Sequence, residues 1–187
     1  MRIFLAINPP EEVRRRVWEA TASLREASPG VAWVPEPKIH LTLKFLGETP
    51  DAGIPDLIES MTAMARTHAA PMVHLSTVGA FPNFRRPRVI WMGIEPEPRL
   101  ELLHHDVELA CDALGHELEG RPYRPHLTLG RVRHPLGADD LAPLRSAAKR
   151  IRFTDEFQAR SIDVVQTTPG PGGSKYTMIA SASMKGI

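Results

Sequence analysis

The sequence lacks long apolar runs, cysteine pairs and a strong excess of charge of one sign. Its 187 residues contain no run of about 20 apolar residues, so we expect no transmembrane helix. Cys111 is the single cysteine, which excludes an internal disulfide and suits a reducing, cytoplasmic location. The formal net charge is +1, so any anionic substrate would have to be attracted by local positive charge.

The composition and the order of the segments indicate a single globular α+β domain. Hydrophobic residues make up 42% of the chain and charged residues 24%, as in ordinary globular proteins. Periodicity predicts helices near 11–26, 54–67, 98–118 and 141–149, and strands near 2–7, 31–34, 40–46, 72–78, 89–94, 126–132, 160–167 and 176–184. Because both helices and short turns join the strands, the pattern favours mainly antiparallel sheets over a doubly wound parallel sheet.

The tetrapeptide His-Leu-Thr-Leu occurs twice, beginning at His40 and at His126. Residues two apart in a strand point to the same face. His40 and Thr42 would therefore share one face of a strand, as would His126 and Thr128, while the leucines anchor the opposite face. Each motif would present an imidazole and a hydroxyl from a buried platform.

Two such motifs supply the groups that in-line displacement at phosphorus requires. One imidazole can remove a proton from the attacking oxygen and the other can protonate the departing oxygen, while the hydroxyls donate to phosphoryl oxygens. A single His-x-Thr would be an ordinary strand with a solvated histidine. Two complete copies, each preceded by a proline-containing loop, favour the catalytic interpretation. The pattern alone does not decide which histidine is the acid.

Three arginines after a predicted strand, Arg85, Arg86 and Arg88, form the densest basic cluster, beside Phe84. They could guide an RNA end by phosphate contact and base stacking, or they could be a solvated loop. Both interpretations stay open. Lys44 should share the face of the first motif by simple alternation, and so could border the same site or only cap its rim.

Two other features resemble reactive sites but are better explained as structural. Cys111 lies in a predicted helix without a surrounding histidine motif, so we expect a buried, inert thiol. His104, His105 and Asp106 are adjacent on that helix, where neighbours diverge and no i, i+4 histidine pair occurs. We therefore predict no metal site.

Two segments of the chain resemble the signature segments of the 2H phosphoesterase superfamily. They are His-Leu-Thr-Leu-Lys-Phe-Leu-Gly and Arg-Pro-Tyr-Arg-Pro-His-Leu-Thr-Leu-Gly-Arg-Val. More narrowly, they resemble its bacterial and archaeal RNA 2′,3′-cyclic phosphodiesterases, also called 2′-5′ RNA ligases. The similarity extends to the Arg-Ile-Phe-Leu-Ala-Ile start and to Gly172–Tyr176. It implies one bilobal phosphodiesterase domain over residues 1–187, with two antiparallel sheets around a central cleft and helices outside.

The same resemblance implies hydrolysis of RNA 2′,3′-cyclic phosphate ends to 2′-phosphates without a metal or another cofactor. It makes His40 the proton donor and His126 the acceptor, with Thr42 and Thr128 holding the phosphate. The implied partner is RNA with a cyclic end, or a cyclic nucleotide, and no membrane; we expect a monomer. Joining of RNA ends through a 2′-5′ linkage, opening of another cyclic nucleotide, and non-catalytic RNA-end binding remain alternatives.

Arg131 matches a phosphate-contacting position of this family, shortly after the second motif. Simple alternation places an odd-numbered residue on the face away from His126 and Thr128. A bulge or twist at Gly130 would bring Arg131 back to that face.

Overall fold

The computed structural model describes residues 1–171 and 173–185, in which helices pack on a single antiparallel sheet. The helices are α1 (Glu11–Ala20), α2 (Ala22–Ala27), α3 (Ile54–Ala65), α4 (Pro98–Ala113) and α5 (Ala138–Arg150), with short 3-10 turns at Glu36–Lys38 and Asp51–Gly53. The strands are β1 (Arg2–Ile7), β2 (Ala32–Trp33), β3 (Leu41–Glu48), β4 (Met72–Phe81), β5 (Val89–Ile94), β6 (His126–Arg131), β7 (Asp155–Gln158), β8 (Ser161–Gly170) and β9 (Gly173–Ser183).

The sheet has two halves that meet at the repeated motifs. The strand order is β7-β4-β5-β6-β3-β1-β8-β9, with β2 paired to β6, and all of these pairings are antiparallel. Strands β3 and β6 pair at Leu41 and Leu127. The predicted α+β antiparallel architecture is therefore confirmed, with one motif in each half, and the two predicted sheets are joined at the motifs into one continuous sheet.

The helices pack against the sheet face opposite the motif side chains. Helices α3 and α4 contact the half that contains β3, β8 and β9, whereas α1 and α5 contact β7 and β4. Strand β1 is buried on both faces: Ile3 and Leu5 enter the main core, whereas Phe4 and Ala6 pack with Val165 in a small separate cluster. Phe4 of this second cluster lies beside the motif of β3, with its ring 4.9 Å from that of His40.

The structure differs from the predicted elements at several boundaries. The first predicted helix is two helices, broken at Thr21, whose hydroxyl donates to the carbonyl of Val17 at 2.8 Å. The helix predicted to reach residue 118 ends at Ala113. Periodicity does not predict strand β7, because Phe157 is its only buried residue and the strand has no apolar alternation. The turn predicted between the last two strands includes Gly172, which lies outside the described residues, as does the end of the predicted domain, 186–187.

Neither a membrane helix nor a reactive thiol is found in the described part of the chain. No helix within residues 1–171 and 173–185 is both long and apolar enough to span a bilayer. Cys111 is fully buried in α4, and burial raises the pKa of its thiol to about 11. A thiol with so high a pKa stays protonated at neutral pH, as expected of an inert core residue.

Candidate active site

The two motifs cross at their first leucines. Leu41 and Leu127 are direct partners in the antiparallel pairing of β3 with β6, and both are buried. In an antiparallel pair, the residues on either side of such a pair also face each other. Each motif's histidine is thereby set opposite the threonine of the other motif.

Four polar side chains consequently share one small area of the sheet. Extending the register of this pair by one residue in each direction would set His40 opposite Thr128 and Thr42 opposite His126, and all four residues are half-buried. Directly opposed residues of antiparallel strands have Cβ atoms about 4.5–5.5 Å apart, and diagonal neighbours are about 7–8 Å apart. On this register the imidazoles would occupy one diagonal and the hydroxyls the other, with a gap of about the size of a phosphate group between them; the charge of His126 does influence His40.

Both imidazole rings are held by the same backbone contact. The Nδ1 atom of His40 lies 2.7 Å from the carbonyl oxygen of Lys38, and Nδ1 of His126 lies 2.7 Å from that of Arg124. Because a carbonyl oxygen can only accept, Nδ1 must donate in each ring. Each Nε2 is then free to carry or to take up the proton that moves during a reaction.

Aromatic rings pack beside each histidine. The Phe4 ring lies 4.9 Å from the His40 ring, and the edge of Tyr176 approaches it at 5.5 Å. The Phe81 ring meets the His126 ring edge-on at 5.0 Å. Each imidazole is thus packed against at least one aromatic side chain.

Burial lowers the pKa of both histidines. For His40, the loss of hydration is the largest cause, and the hydrogen bond to the carbonyl of Lys38 opposes it. For His126, burial is again the largest cause, and the hydrogen bond to the carbonyl of Arg124 opposes it. The positive charge of Arg131 lowers both pKa values further. Both rings are therefore mostly neutral at pH 7 in the free protein, and an anion placed between them would favour the protonation of one.

A β-bulge in β3 decides which side chains follow the first motif on its polar face. The register between β1 and β3 shifts after Thr42, which leaves Leu43 as the extra residue. Phe45 therefore takes the face of Thr42, and its ring lies 5.9 Å from that of Phe4. The expectation that Lys44 shares this face is wrong, because the bulge inverts the alternation and turns Lys44 towards α4.

A second bulge has the same effect after the second motif. The register between β5 and β6 shifts between Thr128 and Gly130, so that Leu129 is the extra residue. The bulge predicted at Gly130 is thus one residue earlier. It brings Arg131 to the face of Thr128, consistent with the influence of the guanidinium charge on both histidines.

Lys44 forms a buried ion pair beneath the first motif. Its Nζ donates to Oε2 of Glu108 at 2.7 Å and to the carbonyl of Glu117 at 2.8 Å. The side chains of Lys44 and Glu108 are only 4% and 9% exposed. The Glu119 N–H also donates to Oε2 of Glu108, at 2.8 Å. The sequence carried no signal for this pair, because its members lie in different elements far apart in the chain.

Tyr123 supports the first motif from a loop that precedes the second. Its hydroxyl donates to the carbonyl of Thr42 at 3.2 Å, and its ring stacks on His104 at 3.7 Å. Burial raises the pKa of Tyr123, which stays protonated as a donor. The loop before β6 thereby links the two motif strands.

The arginine-rich loop is exposed and ordered by Asn83, whose side-chain oxygen accepts from the backbone N–H of Arg85 at 2.8 Å and of Arg86 at 3.2 Å. Phe84 packs against the hydrophobic core, so its ring is not free to stack on a base. Both interpretations of the three arginines therefore stay open: they could guide an RNA end, or they could form a solvated loop.

Residues 1–171 and 173–185 contain no cluster of three or more His, Cys, Asp or Glu side chains that could hold a metal ion.

Comparison with known proteins gives one consistent family. The family model described as the 2′-5′ RNA ligase superfamily matches residues 9–170, which include both motifs. The RNA 2′,3′-cyclic phosphodiesterase of Thermus thermophilus is 34% identical over 196 aligned positions, covering 100% of this chain and 91% of that protein. The RNA 2′,3′-cyclic phosphodiesterase of Geobacillus stearothermophilus is 34% identical over 128 residues, and the match spans 68% of this chain but only 41% of that longer relative.

A solved structure shows the same fold over the whole chain. The crystal structure of the Thermus thermophilus protein TT0787 superimposes with a TM-score of 0.82 at 32% sequence identity, covering 100% of this chain and 99% of that one. The overall fold of the chain is thus one that has been observed by experiment.

Proposed function

The chain belongs to the 2′-5′ RNA ligase superfamily, and from that premise we propose that it is a phosphodiesterase that opens RNA 2′,3′-cyclic phosphate ends to 2′-phosphates. The Thermus and Geobacillus relatives carry the name of this activity. The observation that carries the proposal is the crossing of the motifs, which sets His40 and His126 diagonally on one face with both Nε2 atoms free. That arrangement suits a base and an acid on opposite sides of one phosphorus.

The proposed reaction is a single in-line displacement by water. Nε2 of His126 takes a proton from the water as its oxygen bonds to phosphorus. The bond from phosphorus to the 3′-oxygen breaks, and Nε2 of His40 gives its proton to that oxygen. The product is a 2′-phosphate with a free 3′-hydroxyl, and the proton returns from His126 to His40 through solvent. This assignment of acid and base rests on the resemblance to the family.

Three further side chains are proposed to hold the phosphoryl oxygens. The hydroxyls of Thr42 and Thr128 occupy the second diagonal of the site and can donate to the two non-bridging oxygens. Arg131, brought to the same face by the bulge at Leu129, supplies a positive charge for the extra negative charge of the transition state. No metal ion takes part in this scheme.

The remaining elements of the proposal concern organisation and location. Both motifs come from one chain and meet within one sheet, so we propose a single bilobal domain that is complete as a monomer. Its substrate is RNA with a cyclic end or a short cyclic nucleotide. We place the reaction in the cytoplasm, where a free cysteine such as Cys111 stays reduced.

The decisive test is incubation with 2′,3′-cyclic AMP and identification of the product. We expect 2′-AMP, and activity that survives EDTA. His40→Ala and His126→Ala should each lose at least about 10²-fold in kcat, and the double variant should be little worse, because the pair acts as a unit. His105→Ala, at an exposed position of α4, is the matched control. A 3′-phosphate product, or complete loss in EDTA restored by a divalent ion, would contradict the mechanism.

The same assay separates the alternatives. When RNA with a cyclic end is supplied together with RNA that has a free 5′-hydroxyl, a longer product joined through a 2′-5′ linkage would indicate end joining. Tight binding of the cyclic end without any turnover would indicate a binding protein. Hydrolysis of the cyclic end in both mixtures is the result expected here.

A further inference from the structure

In the described part of the chain, the two motif strands share one residue pair, Leu41 with Leu127. Beyond that pair, the neighbour of β3 is the segment 116–125, which leads from the end of α4 into the second motif. This segment, all of which the structure describes, contains no helix or strand, and most of its residues are exposed. Irregular, exposed backbone is ordinarily mobile. Here it has to deliver His126 in a defined position.

Hydrogen bonds attach this segment to the β3 side of the site at three points. Two of them lie near α4, at the carbonyl of Glu117 and at the N–H of Glu119. The third is nearest to the second motif, where the hydroxyl of Tyr123 donates to the carbonyl of Thr42 at 3.2 Å. Tyr123 therefore connects the backbone of the first motif to the approach of the second.

The chain between Tyr123 and His126 is stiff. Pro125 fixes its own φ and confines the preceding residue, Arg124, to extended backbone. The carbonyl of Arg124 lies 2.7 Å from Nδ1 of His126, which donates to it. A displacement of Tyr123 is therefore passed on to the atom that decides which nitrogen of His126 carries the proton.

The Tyr123 ring is held independently of its hydroxyl. It stacks on His104 with the ring centroids 3.7 Å apart and an angle of 7° between the planes. The stack fixes the ring plane and directs the hydroxyl towards the carbonyl of Thr42. Because the ring has this separate support, the hydroxyl can be removed by substitution while the ring stays in place.

We propose that Tyr123 is a positioning residue, whose hydroxyl, bonded to the carbonyl of Thr42, holds His126 in the orientation and tautomer of a general base. This inference rests on the proposed function, because it takes His126 to be the group that accepts a proton from water. The effect of Tyr123 is transmitted through the carbonyl of Arg124, not by contact with the reacting atoms. Without the hydroxyl, the segment loosens and His126 can adopt the tautomer with its proton on Nε2. That tautomer cannot act as the base at Nε2.

The first test is Tyr123→Phe, which removes the hydroxyl and keeps the ring on His104. With 2′,3′-cyclic AMP as substrate, we expect kcat to fall about tenfold and KM to change by less than about twofold, since small displacements of a catalytic group are costly. Thr62→Val is the matched control, because the hydroxyl of Thr62 also donates to a carbonyl, that of Ile58 at 2.7 Å, but in helix α3. It should change neither constant. Thermal unfolding of both variants shows that the fold is retained.

The second test measures the tautomer itself and does not depend on turnover. Nitrogen-15 chemical shifts of the imidazole rings, recorded above pH 7, report which nitrogen carries the proton, and His40→Ala and His126→Ala assign the signals. In the wild type, both rings should carry the proton on Nδ1. In Tyr123→Phe, this form should become less populated at His126. It should be unchanged at His40, whose Nδ1 bonds to the carbonyl of Lys38, outside the segment.

Several results would overturn the proposal. An unchanged kcat in Tyr123→Phe would show that the hydroxyl is dispensable, and a higher KM with the same kcat would show that Tyr123 contacts the substrate instead. Equal tautomer changes at His40 and His126, or no change at either, would show that the segment does not set the tautomer of His126. Failure of the proposed function is seen separately, because the wild-type protein would then not open the cyclic ester, whereas the tautomer of His126 would still respond to Tyr123→Phe.

Discussion

The buried ion pair between Lys44 and Glu108 gives a sharp prediction about stability. Their charged atoms are 2.7 Å apart, and the side chains are 4% and 9% exposed. Lys44→Met leaves the carboxylate with the Glu119 N–H and with Nε2 of His104 at 3.7 Å as its nearest partners. Removing one member of a buried pair costs about 3–5 kcal/mol, because the other charge stays buried without compensation. At about 2–4 °C per kcal/mol for a chain of this size, the melting temperature should fall by about 6–20 °C.

The pH dependence of this loss has a definite sign. Burial alone would raise the pKa of Glu108, but Lys44 and the Glu119 N–H outweigh burial and hold it below its ordinary value. The ion pair therefore stabilises the protein fully at pH values above the pKa that Glu108 has in the unfolded chain. This contribution is lost as the pH falls through the lower pKa that Glu108 has in the folded protein. In Lys44→Met, burial dominates and the pKa of Glu108 rises. The carboxyl of Glu108 in the variant then takes up a proton on mild acidification. The difference in unfolding free energy between wild type and variant should therefore be smaller at pH 5 than at pH 7.

Urea unfolding at these two pH values measures the effect. Arg16→Met is the control, since the side chain of Arg16 is 46% exposed, and breaking its ion pair with Asp155 should therefore cost less than breaking the pair of Lys44 and Glu108. The double variant Lys44→Met/Glu108→Leu should recover part of the loss, because it removes the uncompensated charge. If Lys44→Met lost less than about 1 kcal/mol, or if its loss grew on acidification, the pair would not be the buried interaction described here.

The remaining predictions concern the catalytic face. Because burial lowers the pKa of both His40 and His126 below the usual 6.5, the proposed mechanism predicts that the bell-shaped profile of kcat/KM for 2′,3′-cyclic AMP lies on the acid side of pH 6.5; a maximum above pH 7 would contradict this. Arg131→Gln removes a charge that lowers both pKa values, so both limbs should move to higher pH while kcat/KM falls. In Gly130→Ala, the new Cβ would lie 2.6 Å from the Trp33 ring, and we expect a loss of about 1–3 kcal/mol in unfolding free energy. Gly120→Ala, in an exposed loop where no heavy atom lies within 4 Å of the new Cβ, should be neutral, and equal effects at the two positions would refute the packing argument.

The elements that could be predicted from the sequence are those with a clear apolar period. Strand β5 lies at the predicted position, Val89–Ile94, and helix α3 ends two residues earlier than expected, at Ala65. Strand β7 could not be found in this way, because it is an edge strand that buries only Phe157. The helix break at Thr21 could not be predicted either, because the apolar period of the sequence continues across it. Only the tertiary packing of the two short helices shows the bend.

The site was predictable where it depends on neighbouring residues in one strand, and not where it depends on the adjacent strand. That His40 and Thr42 share a face follows from alternation alone. The face taken by Lys44 does not, because it is decided by the register with β1, which shifts at Leu43. A bulge adds a residue to one strand only, so a single strand's sequence gives little sign of it.

The two bulges explain how a repeated motif can produce an asymmetric site. In both strands the extra residue directly follows the threonine, at Leu43 and Leu129. The next side chain on the catalytic face is therefore the third after the threonine, which is Phe45 in one strand and Arg131 in the other. The repeat supplies two equivalent pairs of histidine and threonine, but an uncharged ring follows the first motif on this face and a cation follows the second. The asymmetry of the site therefore arises at the positions where the repeat diverges.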